Sequence, residues 1–159
     1  MARRRVFYGY DLDADTARVQ LLGRIESLDN VAPLAADDWK ALSDQGNDAI
    51  KDWINRGIGD CHCVVVLIGA NTAHHKWVMY EIERAWEEKK GLFGIYIHNL
   101  RDATIEQGMQ GPNPFSPWIF EQSGDVAHIA CYNPNPTDAY ADVARNIDKW
   151  VETAIAQRK

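Results

Sequence analysis

The chain has 159 residues, 46% of them hydrophobic and 25% charged, which suits one compact domain with its own core and leaves two domains cramped. A net charge of −6 argues against a nucleic-acid partner, since neutralising phosphates takes a basic patch and Arg3-Arg4-Arg5 reads as a solvated strand entrance. With no apolar run near the roughly 18–20 residues that span a bilayer, no secretory apolar core and an odd count of three cysteines, the expectation is a cytoplasmic protein with no membrane partner.

Arg5 to Tyr10 is short, aromatic and β-branched and predicts the first strand, followed by the acidic loop Asp11-Leu12-Asp13-Ala14-Asp15. Asp13 or Asp15 can cap a helix over about residues 15–28, whose inner face carries Leu21, Leu22, Ile25 and Leu28. Val31-Ala32-Pro33-Leu34 reads as a second strand, placed at a sheet edge by its proline, and the polar stretch Ala35 to Gly46 as a loop. Ala49, Ile50, Trp53 and Ile54 mark the next helix, which Gly57 and Gly59 can close.

Residues 62–68 are apolar without alternation, as in a strand covered on both faces. A short polar turn then leads into a helix with Asn71 or Thr72 at its cap and Val78, Ile82, Ala85 and Trp86 on one stripe. Trp77 and Glu81 lie four apart on the edge of that stripe, and Arg84 is close enough in sequence to pair with Glu81. Leu92 to His98 predicts the fourth strand and Val126 to Tyr132 the fifth. Between them, residues 99–125 form a connection long enough to suggest an ordered flap or an aromatic plug. Thr137 can cap the last helix, striped by Tyr140, Val143, Ala144, Ile147, Trp150, Val151 and Ala154.

Strand alternating with helix predicts an α/β, flavodoxin-like three-layer sandwich around a five-stranded parallel sheet of order 2-1-3-4-5. In that order a crevice opens at the carboxyl ends of the first and third strands. Tyr8, Gly9, Tyr10 and Asp11 close the first of these, Gly69, Asn71 and Thr72 follow the third, and Glu81 lies one or two turns into the next helix. Asp11, Asp13 and Asp37 either touch ligand there or shape turns and caps.

The sequence has no P-loop, no dinucleotide glycine fingerprint and no G-x-S-x-G elbow, and Gly69-Ala70 stands where a phospho-receiver would carry an aspartate. The Cys61-His62-Cys63 run has no second cluster to complete a tetrahedral metal site. What remains is one carboxylate among aromatics and small residues. That suits cleavage of an N-glycosidic bond whose leaving group departs neutral, as nicotinamide does from NAD. The transition state is a ribosyl cation, and Glu81 could offset its charge while Tyr8, Tyr10, Trp39 or Trp77 stacks on a ring.

Asp38-Trp39 through Asp48-Ala49-Ile50, Val64 to Gly69, Thr72 to Ile82 with its W-x-x-x-E, Gly94 to Asn99 and Gly111-Pro112-Asn113-Pro114-Phe115 together resemble the TIR-like subunit of the Thoeris anti-phage defence system. The resemblance runs from Val6 to about Phe115. It implies a single TIR-like domain over 1–159 that takes NAD as substrate, needs no cofactor, releases nicotinamide and makes a cyclic or otherwise modified ADP-ribose. That product would activate a separate messenger-sensing effector, and a homo-oligomer could complete the site. The family's catalytic glutamate falls on Glu81, with Tyr8, Gly9, Tyr10, Asp11, Trp39, Asn71, Thr72 and Trp77 as substrate-binding candidates. Where TIR proteins commonly have a serine in the first strand's closing turn, this chain has Gly9. The alternatives are a non-catalytic TIR-like adaptor and a relative of the nucleoside deoxyribosyltransferases.

Overall fold

The computed structural model describes residues 3–30, 36–102 and 104–159. In chain order they form β1 (Arg5–Gly9), α1 (Thr16–Leu22), β2 (Asp29–Asn30), α2 (Ala36–Asp44), α3 (Asn47–Asp60), β3 (Cys63–Ile68), α4 (Lys76–Glu87), β4 (Gly91–Tyr96), β5 (Phe120–Gln122), β6 (Asp125–Ala127), β7 (Cys131–Tyr132) and α5 (Ala139–Gln157). A parallel sheet runs β2-β1-β3-β4-β7. Alternation along the strands divides the core into two layers. Val6, Tyr8, Cys63, Val65, Leu67, Phe93 and Ile95 pack beneath α1 and α5, whereas Phe7, Val64, Val66, Ile68 and Leu92 pack beneath α3 and α4.

Both sheet edges differ from expectation. The segment that pairs with β1 is Asp29–Asn30, and the expected strand at 31–34 lies outside the described residues. At the far edge, the stretch read as one strand from Val126 to Tyr132 divides. Asp125–Ala127 folds back antiparallel on Phe120–Gln122, and only Cys131–Tyr132 joins the sheet beside β4. Ser123 and Gly124, at φ 55° and 85°, supply the two left-handed residues of a tight hairpin turn, a signal that the dipeptide carries in the sequence.

The helices also depart in detail. Residues 36–44 are helical, with Asp37 and Asp38 in the first turn and Trp39 and Leu42 packed on the α3/α4 core. The first helix stops at Leu22, well before residue 28. Gly57 lies inside α3, where a Cβ would stand 2.6 Å from the Phe7 ring, so its bareness lets the helix close on β1. The last helix is capped by Asp138, which accepts from the Ala141 N–H at 3.3 Å, and not by Thr137.

The 99–125 connection turns back over the carboxyl edge of the sheet. Arg18 donates to the Glu106 carbonyl at 2.6 Å, the Gly108 N–H donates to the His98 carbonyl at 2.8 Å, and Gln107 donates to Asn99 Oδ1 at 2.6 Å. Gly111 then rests directly on the Gly69 carbonyl. Beyond it, Phe115 and Phe120 enter the α3/α4 core with Trp118 beside them. No helix among the described residues is long and apolar enough to cross a membrane.

Candidate active site

In a doubly wound sheet the connections leave β1 and β3 toward opposite layers, which opens the carboxyl ends of those strands to a ligand. Glu81 reaches this place from α4. Its position, three residues after Val78 and one before Ile82, sets it at the margin of the helix's buried stripe, so the side chain runs inward along the sheet end.

There it is 7% exposed. A Cβ built on Gly9 would lie 2.5 Å from Glu81 Oε2, so the carboxylate rests on the backbone at the end of β1. Among the described residues Oε2 has no hydrogen-bond partner. Burial alone pushes the carboxyl well above the usual carboxylate range. Arg84 does not relieve it, because its guanidinium pairs with Glu87 at 2.8 Å and Glu88 at 2.7 Å and donates to Asn55. Tyr10 feels the Glu81 charge, although its ring packs in the α1/α5 layer. Its phenol is pushed up to about 12, chiefly by burial and further by that carboxylate.

A buried acidic oxygen without a donor is costly, because the charge loses water and gains nothing in return. A ligand that supplied the missing partner would offset that cost.

A family model described as Thoeris protein ThsB, TIR-like domain, matches residues 7–102, a span that holds the end of β1, all of β3 and α4, and both Gly9 and Glu81. The chain belongs to this TIR-like family. Among curated proteins, one from Bacillus cereus (strain MSX-D12) named "Putative cyclic ADP-D-ribose synthase ThsB1" is 30% identical over 108 residues, which are 67% of this chain and 56% of that protein. The chain thus spans little more than half the length of that relative.

Within the TIR-like domain the predicted site residues separate into those that meet Glu81 and those that do not. Gly9 touches it; Tyr10 feels its charge, although its ring packs in the α1/α5 layer. Tyr8 makes no contact with Glu81: as the strand alternates, its ring enters the layer beneath α1 and α5, 6% exposed, as does that of Tyr10. Thr72 is corrected as a cap. It is wholly buried, and its hydroxyl accepts from the Gly69 N–H at 2.8 Å and donates to the Leu67 carbonyl at 3.4 Å, which shapes the turn after β3. It caps no helix, since α4 begins after His75 without a side-chain cap.

Asp11 is buried, and its Oδ1 accepts from the N–H groups of Asp13 at 3.0 Å and Ala14 at 3.3 Å, with His75 Nε2 at 4.0 Å, so it organises the loop after β1. Asn71 is exposed at the turn. Trp39 and Trp77 are half-buried on the same layer as Glu81, and the Trp77 ring carries the Lys76 ammonium 4.6 Å from its centroid. No group of three or more metal-ligating side chains occurs among the described residues.

The contact with Gly9 makes a direct test. In Gly9→Ala the new methyl meets the end of a flexible side chain rather than backbone, so the fold survives and the carboxylate moves. Any reaction at this site is expected to slow by roughly 10²-fold, the scale on which an ångström of misplacement acts, with little change in melting temperature. Steady-state rates and thermal melts of the two proteins check this.

Proposed function

We propose that the protein is a TIR-family enzyme that cleaves the nicotinamide N-glycosidic bond of NAD and turns the remainder into a cyclic or modified ADP-ribose, a signal for a separate effector in bacterial anti-phage defence. The observation that carries this reading is the Glu81 carboxylate, sequestered on Gly9 at the end of β1 with its Oε2 unpartnered among the described residues. The printed name of the Bacillus cereus relative supports the same reaction class.

The chemistry follows from the charge. Burial favours the neutral form of Glu81 in the free protein, and the nicotinamide of NAD is a cation. An opposite charge within a few ångströms favours the ionised acid, so substrate binding draws the proton off and creates the ion pair inside the site. As the bond to nicotinamide breaks, its electron pair stays on the ring nitrogen. Nicotinamide departs neutral and positive charge passes to the ribosyl carbon and ring oxygen. An anion already fixed beside the ribose stabilises that state more than the ground state, where the charge lies farther away on the ring. Ribose hydroxyls supply donors to the otherwise unpartnered Oε2. To Tyr10, Gly9, Asn71, Trp39 and Trp77 we assign the lining of the substrate, with an indole stacked on one of its rings.

Incubation of the protein with NAD, followed by chromatography, is expected to show free nicotinamide together with an ADP-ribose product. The same protein given purine or pyrimidine deoxyribonucleosides is expected to leave them intact. Release of free base from the nucleosides with NAD unchanged would favour the deoxyribosyltransferase alternative. Turnover of neither, with activity lost elsewhere on surface substitution alone, would favour the adaptor.

A further inference from the structure

A second carboxylate reaches the same strand ends from the opposite layer. Asp15 occupies the N-cap position of α1, yet its side chain makes no capping bond. It turns away from its helix and lies against Gly69, the residue that follows β3. It is 7% exposed, and among the described residues its Oδ2 has no hydrogen-bond partner. Two of its neighbours in the loop are engaged: Asp11 Oδ1 accepts two backbone N–H groups, and the Thr16 hydroxyl donates to the Leu12 carbonyl at 2.6 Å. An aspartate at an N-cap that leaves its own helix uncapped, in order to bury an unmatched oxygen, is locally unfavourable.

Strand alternation places the two acids relative to the sheet. Gly9 faces the α3/α4 layer, where it meets Glu81 and Val66. Gly69 continues the alternation of Cys63, Val65 and Leu67 toward the α1/α5 layer, where it meets Asp15. β1 and β3 are hydrogen-bonded neighbours. Gly9 is in register with Val66, so Gly69 stands three residues farther along, and a sugar lying past both strand ends would meet Glu81 from one layer and Asp15 from the other.

We propose that Asp15 is the proton acceptor for the hydroxyl that attacks the ribosyl carbon, on the side of the sugar opposite Glu81. The proposal rests on the NAD reading above. The bond from the ribosyl carbon to nicotinamide breaks with its electrons going to nitrogen. A bond forms from that carbon to the oxygen of the attacking hydroxyl, whether water's or one of the substrate's own. The hydroxyl proton passes to Asp15 Oδ2 and then to solvent, so NAD and the hydroxyl become product, neutral nicotinamide and one proton. Burial, reinforced by Asp11 and opposed by Arg18, lifts the Asp15 carboxyl to about 6. A base in that range is ionised at neutral pH and still basic enough to take a proton as the new bond forms.

The discriminating experiment uses a nucleophile that has no proton to lose. With NAD and 3-acetylpyridine, the intact protein can form either a hydroxyl-transfer product or the exchanged dinucleotide, in which the pyridine nitrogen attacks directly. In Asp15→Asn the ratio of exchange to hydroxyl transfer is expected to rise about 10²-fold, the usual scale for loss of a positioned base. Glu81→Gln is expected to lose both products together. An unchanged ratio in Asp15→Asn overturns the proposal while leaving the NAD reading in place. Should Asp15→Asn not fold, Asp15→Glu decides by the same ratio, expected above that of the unsubstituted protein because the base is displaced; equality overturns the proposal. If the unsubstituted protein forms neither product, the NAD reading falls and this proposal with it.

Discussion

Glu81→Gln is expected to reduce nicotinamide release from NAD by about 10²–10³-fold, the range seen when one preorganised electrostatic partner is removed from a transition state. The same substitution is expected to raise thermal stability above the ordinary range of glutamate titration. The sign follows from linkage. In the unfolded chain Glu81 loses its proton near pH 4.5, whereas in the folded protein burial raises its pKa well above that value. Between the two pKa values the folded state holds more protons, so stability falls as pH rises through that window. Glutamine has no proton to lose and is exempt from that fall. Melting temperatures of the two proteins should coincide near pH 4 and diverge with increasing pH, the variant melting higher. A loss of activity accompanied by a gain of stability is the mark of a residue kept for chemistry. A glutamate kept for packing would lose both.

Gly111→Ala is expected to be the most damaging single methyl in the flap. The new Cβ would fall on the Gly69 carbonyl and stand 3.0 Å from the Ala70 carbonyl, both backbone atoms that cannot swing aside. Overpacking of this kind costs about 1–3 kcal/mol, which in a domain of this size lowers the melting temperature by roughly 3–10 °C. Gly59→Ala is the natural control. Gly59 sits exposed in α3 with nothing within 4 Å of a Cβ, so alanine there is expected to stabilise by about 0.5–1 kcal/mol through helix propensity. Because Gly111 bears on the residue that Asp15 also touches, the damaged flap should impair turnover beyond what melting explains. Activity measured well below the melting temperature separates the two effects.

The layers of the sheet were legible in the sequence because their signal is collective. The unbroken apolar run of Cys63 to Ile68, the helical stripe of Val78, Ile82 and Ala85 and the stripe along α5 each repeat one choice many times. Features that turn on one or two residues were less legible. α2 was missed because its polar surface masks the two anchors Trp39 and Leu42, and the hairpin because Ser123-Gly124 interrupts what otherwise reads as a single strand. At the site, Glu81 stood out by its place on the helix edge and by family resemblance. Its burial against Gly9 could not be read from spacing, since it depends on a bare Cα in a strand 72 positions earlier, as the residue numbers show. Asp15 was hidden for a related reason. An acidic residue just before a helix ordinarily caps it, and only three-dimensional packing shows this side chain leaving its own amides for Gly69.

The departure from serine at position 9 also takes on a physical meaning. Any side chain there would occupy the space that Glu81 Oε2 fills, so glycine and the inward glutamate belong together. Gly9→Ser, like Gly9→Ala, would move the carboxylate before its hydroxyl could contribute anything.

The central claim is that one sequestered carboxylate stabilises a ribosyl cation formed from NAD. It is tested most directly by a single-turnover experiment, with the protein in excess over NAD, comparing the unsubstituted chain with Glu81→Gln after binding of the dinucleotide has been measured for each. The account predicts that both bind NAD and that only the unsubstituted protein releases nicotinamide at an appreciable rate. Release at equal rates from the two proteins would contradict it.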